Sequence, residues 1–407
     1  MEPELSPEQA GFDPHRLYRI AEYYDAFTEA GKIPGWQVTI SRGGALVYEA
    51  HGGHADVEQG IPVASDTMWR IYSMTKPLTS LAAMMLWEEG KFDLTDPVST
   101  WIPSFNDQSV YVSGSADQPV TAPLTEPTRV WHLMSHMAGL TYGFTRCHPA
   151  DEIYRLKGYE WGAPKGVSLA DAVDVWATSP LVFQPGSAWN YSVATDVLGR
   201  LVELWSGQSL DEFFRERITV PLKMYDTEFF VPDAKRERLA QLYVPTPDGG
   251  ITSFPALGPV SNKTPHLLSG GGGLVSTAHD YHRFTAMLLR GGELDGVRLV
   301  SGRTLALMTD NVLPGKADLV ACARDSFSEV GLAGHGFGLG FALVTDRAAS
   351  LQPLAEGSFM WGGAASTTFW VDPVEDLTAA FYTQLLPSST YPIRRMLAPL
   401  VYQALAD

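Results

Sequence analysis

Ile71-Tyr72-Ser73-Met74-Thr75-Lys76-Pro77 is the stretch on which the reading of this chain turns. Downstream of it Leu78, Leu81, Ala82, Met85 and Leu86 recur at three- and four-residue spacings and Gly90 offers a stop, so the stretch opens a helix. Pro77 is tolerated there because a first-turn N–H has no helical partner in any case. A hydroxyl and an amine three residues apart at a helix start share a face, one turn apart, close enough to exchange a proton. Ser73 is therefore a candidate nucleophile and Lys76 a candidate activator. Ser-x-x-Lys is a spacing that acyl-enzyme chemistry uses. Chance also supplies it, so it gains weight only from partners elsewhere in the chain.

Working outward, residues 13–30 carry a helical pattern through Leu17, Ile20, Ala21, Tyr24 and Phe27, closed by Gly31. Residues 36–40 and 46–48 alternate around Gly43-Gly44 as a β-hairpin does. On the other side, residues 108–127 are rich in Ser, Gly, Asp and Pro and read as a long surface loop bordering the active site. Thr128 caps a short helix that ends near Gly139, and Ser168 caps another with Asp171 completing the start. A third runs from Ser192 or Ala194 to Trp205, with Gly207 as its stop. The glycines of Ser269-Gly270-Gly271-Gly272-Gly273 lack the Gly-Lys-Ser/Thr of a phosphate loop and the acidic residue of a dinucleotide fold, so they read as a close backbone crossing before a helix that ends at Gly291. Residues 337–344, 367–371 and 377–382 read as strands, and a helix over 393–405 closes the chain. Strands near both ends with helices between them predict one antiparallel sheet assembled from the two ends, the helical middle being an insertion. No internal repeat or linker divides the chain into independent modules.

Composition excludes several functions. A chain of 407 residues, 45% hydrophobic and 18% charged, has ample material for one large or two modest cores and is not disordered. Its 29 basic and 46 acidic residues give a net charge of −17, which repels phosphate backbones and anionic membranes; nucleic-acid and membrane partners are not expected. Cys147 and Cys322 support no disulfide framework, and Met1-Glu2-Pro3-Glu4-Leu5 carries neither a basic nor an apolar leader segment, so a cytoplasmic location is expected.

Two partners raise the standing of Ser73. Tyr191, in Asn190-Tyr191-Ser192-Val193, is a phenol that beside an ammonium can hold a shared proton, so either Lys76 or Tyr191 can serve as the base. Trp361-Gly362-Gly363-Ala364 offers glycines that let a strand edge approach a substrate, and the Ala364 N–H opposite that of Ser73 can form an oxyanion hole. Ser-Met-Thr-Lys, then Tyr-Ser-Val, then Trp-Gly-Gly, in this order, resemble the serine hydrolases of the β-lactamase-like superfamily, and more narrowly the family VIII carboxylesterases, relatives of class C β-lactamases. The likeness extends through residues 132–140, 184–186, 271–277 and 369–373 and so covers most of the chain.

The resemblance implies a β-lactamase/penicillin-binding-protein-like α/β (α+β) fold: a central antiparallel sheet flanked by helices, in a discontinuous domain of residues 1–72 and 269–407, and a mainly helical domain of residues 73–268, with the active site at their interface. It implies Ser73 as nucleophile, Lys76 and Tyr191 as the activating pair, and Ser73 and Ala364 as oxyanion donors. Trp361, Gly362 and Gly363, with Tyr142 and Trp189, are the candidate substrate pocket. One departure is informative: β-lactamases carry Lys-Thr-Gly where this chain has Trp361-Gly362-Gly363, and loss of a lysine that meets an anionic carboxylate favours neutral esters. Thr309-Asp310-Asn311 imitates a β-lactamase element but lies out of order and is set aside.

The expected activity is thus that of a serine carboxylesterase acting on a small ester, with no cofactor and no metal. His132 and His136 lie one helical turn apart as ligands can, but the Glu of His-Glu-x-x-His is missing. Acyl transfer and amide or β-lactam hydrolysis are alternatives for the same site, and a non-catalytic penicillin-binding-like module is a further one. The absence of Gly-x-Ser-x-Gly argues against an α/β-hydrolase elbow. Monomer and homodimer are both open.

Overall fold

The strands at the two ends of the chain meet in one sheet. The computed structural model describes residues 2–254, 260–324 and 327–406. After helix α1 (Pro14–Glu29), the N-terminal part supplies β1 (Gly35–Arg42), β2 (Ala45–Asp56) and β3 (Ile61–Pro62). The C-terminal part supplies β4 (His335–Phe337), β5 (Ala342–Val344), β6 (Phe359–Gly363), β7 (Thr367–Asp372) and β8 (Leu377–Tyr382). They form an antiparallel sheet in the order β4-β5-β6-β7-β8-β1-β2-β3. The seam between the two ends is β8 against β1, where Phe381 faces Val38 and Ala379 faces Ile40.

Among the helices that follow are α2 (Thr75–Glu88), α3 (Val130–Met134), α4 (Leu169–Ala177), α5 (Ala194–Ser206), α6 (Ala278–Leu289) and α7 (Ile393–Tyr402). Side-chain alternation along β8 sends Leu377, Ala379 and Phe381 into one core with Leu17, Ile20 and Tyr24 of α1 and Ile393, Leu397 and Val401 of α7. Ala380 and Tyr382 enter the larger core on the other face with α2, α5 and α6. Helices on both faces explain why all six residues of β8 are buried.

The local signals hold at several boundaries. Asp13, Ser168 and Thr277 cap α1, α4 and α6 by accepting backbone N–H bonds, and Gly207 ends α5 at φ 73°. Other expectations need correction. Residues 108–127 are not all loop: Ser109–Gly114 and Pro119–Pro123 pair as a hairpin whose polar, exposed strands carry little apolar alternation. The helix expected from Thr128 to Gly139 is the five residues of α3, ended where His136 takes φ 57°. Residues 337–344 are two strands turned by Gly340 at φ 105°. Trp361-Gly362-Gly363 stands before the strand expected at 367–371 and is itself the end of another, β6, which glycine content hid from a propensity reading. The largest difference concerns α2: every residue from Thr75 to Leu86 is buried, so the helix is a central pillar with no solvent face.

Candidate active site

Ser73 lies on a 3-10 turn, Tyr72–Met74, that feeds directly into α2. Tyr72 takes φ 42°, a left-handed conformation that costs a non-glycine residue of order 1 kcal/mol. Buried surroundings hold this bend in place, with Met74 N–H bonded to Ile71 O at 3.0 Å and the Tyr281 hydroxyl to Met74 O at 2.9 Å. Ser73 itself is 8% exposed and stands at the N-terminal end of α2, where the helix dipole favours negative charge.

Lys76, one turn on, is the hub. Its Nζ lies 3.3 Å from Ser73 Oγ, 3.0 Å from the Tyr142 hydroxyl and 2.6 Å from Gly271 O. Burial pulls its pKa from 10.5 down to about 8, while Asp196 and then Glu329 act to hold it up. A neutral amine so placed keeps two N–H bonds for Gly271 O and the Tyr142 oxygen and turns its lone pair to Ser73 Oγ.

The glycines at 270–273 make this possible. A side chain on Gly270 would meet Thr195 O and Gly199 of α5, and one on Gly271 would meet the Asp196 carboxylate. The backbone therefore crosses α5 at close quarters, the role expected from sequence. Asp196 Oδ1 accepts Ser269 Oγ at 2.5 Å and Gly271 N–H at 3.1 Å, fixing the turn whose carbonyl meets Lys76. Burial raises the Asp196 pKa against the opposing pull of Lys76.

Tyr191 arrives on an extended segment held by Asn190, whose N–H bonds to His136 O at 2.9 Å and whose Nδ2 bonds to Leu140 O at 2.9 Å. Its ring lies 4.6 Å from Lys76 Nζ, and the Trp361 ring is 5.3 Å from it. Burial, then Glu329, raise the Tyr191 pKa well above 10; Ser73 and the Trp361 indole are near enough to oppose this but not to reverse it. Among the described residues the hydroxyl makes no well-formed hydrogen bond although it is buried. An unanswered donor beside a candidate nucleophile is available to a substrate atom.

On the opposite side is the end of β6. β5 pairs only with Phe359 and Met360, which leaves that edge of Trp361–Gly363 outside the β5 ladder. A side chain on Gly363 would collide with Ile71 O, so glycine lets the strand end lie against the backbone that enters Ser73. Ala364 follows at once.

The residues singled out in the sequence thus split in position. Ser73, Lys76, Tyr191 and Trp361 converge, with Gly362, Gly363 and Ala364 at their edge. Tyr142 stands closer to the chemistry than a pocket wall does, its hydroxyl on Lys76, while burial raises its pKa well above 10. Trp189 is fully buried and nearly parallel to Tyr191 at 6.3 Å, a support behind the phenol. Phe144 stacks on Tyr142 at 4.8 Å and the 63%-exposed Trp161 on Phe144 at 5.3 Å, so aromatic surface runs from solvent to Lys76. Asn311 pins the Phe337 N–H at 3.2 Å and Ala317 O at 2.9 Å and takes no part in the cluster. His132 accepts the Arg129 N–H, and His136 packs edge-on to Tyr191 at 4.9 Å. Among the described residues no group of three His, Cys, Asp or Glu converges as a metal site would.

Asp196 and the Gly271 carbonyl were missed from sequence. The one signal was a carboxylate set among Ala194, Val197, Leu198 and Leu201 on the apolar side of α5.

Residues 20–403 match the family described as Beta-lactamase. Protein Rv1367c of Mycobacterium tuberculosis is 34% identical over 367 residues, covering 88% of both chains. Esterase EstB of Burkholderia gladioli is 29% identical over 383 residues, covering 90% of this chain and 89% of its own. Among solved structures, EstCE1, a hydrolase with promiscuous acyltransferase activity, superposes with a TM-score of 0.78 at 27% identity over 95% of this chain and 99% of its own.

Proposed function

This chain belongs to the beta-lactamase family, and from that premise we propose that it is a serine carboxylesterase that hydrolyses neutral esters of small molecules through an acyl-enzyme on Ser73. The observation that carries the reading is the buried Lys76 amine 3.3 Å from Ser73 Oγ with its pKa drawn down to about 8. Esterase EstB and EstCE1 support the hydrolytic assignment.

In the first half-reaction Ser73 Oγ forms a bond to the ester carbonyl carbon as its proton passes to neutral Lys76 Nζ. The carbonyl π electrons move to oxygen, and the N–H groups of Ser73 and Ala364 hold the resulting anion. When the anion collapses the bond to the alkoxy oxygen breaks, and the leaving oxygen takes a proton from the Lys76 and Tyr191 pair. Water then gives a proton to the same pair and adds to the acyl carbon; when this second anion collapses the bond from carbon to Ser73 Oγ breaks, Oγ takes that proton from the pair, and the acid leaves. The depressed amine and the elevated phenol favour Lys76 as the proton acceptor and Tyr191 as a donor that stays protonated near neutrality.

Intact-mass measurement after mixing with p-nitrophenyl butyrate tests the reading: wild type gains one butyryl group, and peptide mapping places it on Ser73. A chain that turns over the ester with no such adduct under rapid quench, or carries it elsewhere, defeats the assignment. Tyr191→Phe should lower kcat by about 10²-fold, the scale of a lost general acid. Its thermal stability should stay level or rise by about 1 kcal/mol, because a buried hydroxyl without a partner is removed. Differential scanning fluorimetry beside steady-state kinetics reads both.

Transfer to an alcohol in place of water is the second reading, favoured by the likeness to EstCE1 and by the aromatic approach to Tyr142. Product analysis with added alcohols separates the two, and nitrocefin turnover measures any β-lactam hydrolysis. The cysteine usage favours a cytoplasmic location. Among the described residues no helix is long and apolar enough to cross a membrane.

A further inference from the structure

The end of β6 has two faces. Trp361 and Gly363 face Tyr191 and Ile71, whereas Met360 and Gly362 face the layer that holds α7. On that second face the Arg394 guanidinium occupies the space a side chain on Gly362 would fill. Arg394 does not stand there as an open cation. Its Nη1 is 2.6 Å from Glu329 Oε2, which also accepts Ser388 Oγ at 3.1 Å. The Glu329 side chain is 1% exposed and that of Arg394 15%.

Three observations tie this pair to the reacting groups. Glu329 is near enough to raise the pKa values of Lys76, Tyr142 and Tyr191. Phe327, two residues before it, packs against Tyr191 at 6.1 Å and Phe144 at 6.3 Å, so the segment runs along the aromatic wall of the site. Glu329 and Arg394 also line a cavity of about 440 Å3 with Met360 and Thr368. Oε1 of Glu329 is buried and, among the described residues, has no hydrogen-bond partner. The cavity leaves space beside the pair, although the carboxylate itself is buried.

We propose that Glu329 is a specificity-determining residue: by holding Arg394 in a buried ion pair beside Gly362, it denies a carboxylate-bearing ester the guanidinium lodged against that strand and restricts the site to neutral and cationic esters. The proposal rests on the esterase reading above and extends the argument from the missing strand lysine. With Trp361 in place of a lysine, an anionic group beside Gly362 meets a guanidinium whose charge Glu329 already balances, while Arg395 of the same cavity is turned to the Ser350 and Leu351 carbonyls; desolvating that group without a countercharge of its own discriminates against it. Glu329→Gln keeps the size of the side chain and a hydrogen-bond acceptor for Arg394 but removes the charge, which leaves the guanidinium uncompensated and ready to take a substrate carboxylate.

The test compares kcat/KM for matched esters with and without a carboxylate, one pair differing in the acyl part (p-nitrophenyl hexanoate and the p-nitrophenyl monoester of adipic acid) and one in the alcohol (p-acetylphenyl and p-carboxyphenyl butyrate). A change in Lys76 acts on both members of a pair, so their ratio isolates charge recognition. Wild type should favour the neutral member of each pair. Glu329→Gln should shift at least one ratio toward the anion by about tenfold or more, and Glu329→Gln combined with Arg394→Gln should cancel the shift. Ratios that Glu329→Gln leaves in place, or a shift that survives loss of Arg394, overturn the proposal. Wild type that turns over none of the four esters instead overturns the esterase reading. Arg394→Gln alone, which keeps the carboxylate and loses its partner, should move the ratio further from the anion; movement toward it would also defeat the idea.

Discussion

Ser73→Ala is expected to lower kcat/KM for p-nitrophenyl butyrate by about 10⁴-fold or more and to abolish the acyl adduct. Loss of a nucleophile removes the covalent route outright, and what survives comes from binding and from the donors at the oxyanion position. The fold should not suffer. Ser73 is small, its Oγ contact to Lys76 is a long 3.3 Å, and the turn that carries it is held by Ile71 O and Tyr281, so the change in stability should stay within about 1 kcal/mol. A Ser73→Ala protein with a wild-type melting curve and undiminished turnover would remove Ser73 from the chemistry. The adduct and the rate must vanish together.

Lys76→Ala is the second large effect, and its pH profile says more than its size. If neutral Lys76 takes the serine proton, wild-type kcat/KM should rise with pH through about 8 and level off above, because deprotonation creates the competent base. Tyr142 and Tyr191, both raised well above 10, should add no falling limb below that value. Lys76→Ala should cost about 10³-fold and erase the rise near 8. A profile that keeps this limb without the lysine would transfer the base role to another group. The pair formed by Lys76 and Tyr191 titrates as a unit, so the limb belongs to the cluster and the substitution identifies which member dominates it.

The two effects separate parts that a sequence motif fuses. Ser-x-x-Lys places a hydroxyl and an amine one turn apart on any helix. What lets the ammonium give up its proton near pH 8 is the burial of α2 on every side from Thr75 to Leu86, which no local pattern encodes. The same helix in a solvent-facing position would carry a protonated lysine and an inert serine.

Sequence by itself determined the architecture and nominated Ser73 and Lys76 as the central pair. Period-two runs at both ends, helical spacing in the middle, and boundary residues such as Ser168 and Gly207 are short-range signals, so a sheet assembled from both ends and its flanking helices were legible in the sequence. Ser73, Lys76, Tyr191 and Trp361 were legible because their chemistry survives in residue type and order. Tertiary structure alone decided the rest, since distance and desolvation are properties of packing. It brought the Tyr142 hydroxyl and the Gly271 carbonyl onto Lys76, and it set Asp196 beneath a glycine turn 75 residues away in sequence. It made the glycines before β7 the end of a strand of their own, β6, with Ile71 on one face and Arg394 on the other. The opening stretch thus names the candidate nucleophile and the amine beside it, while the burial around them lowers the pKa of that amine.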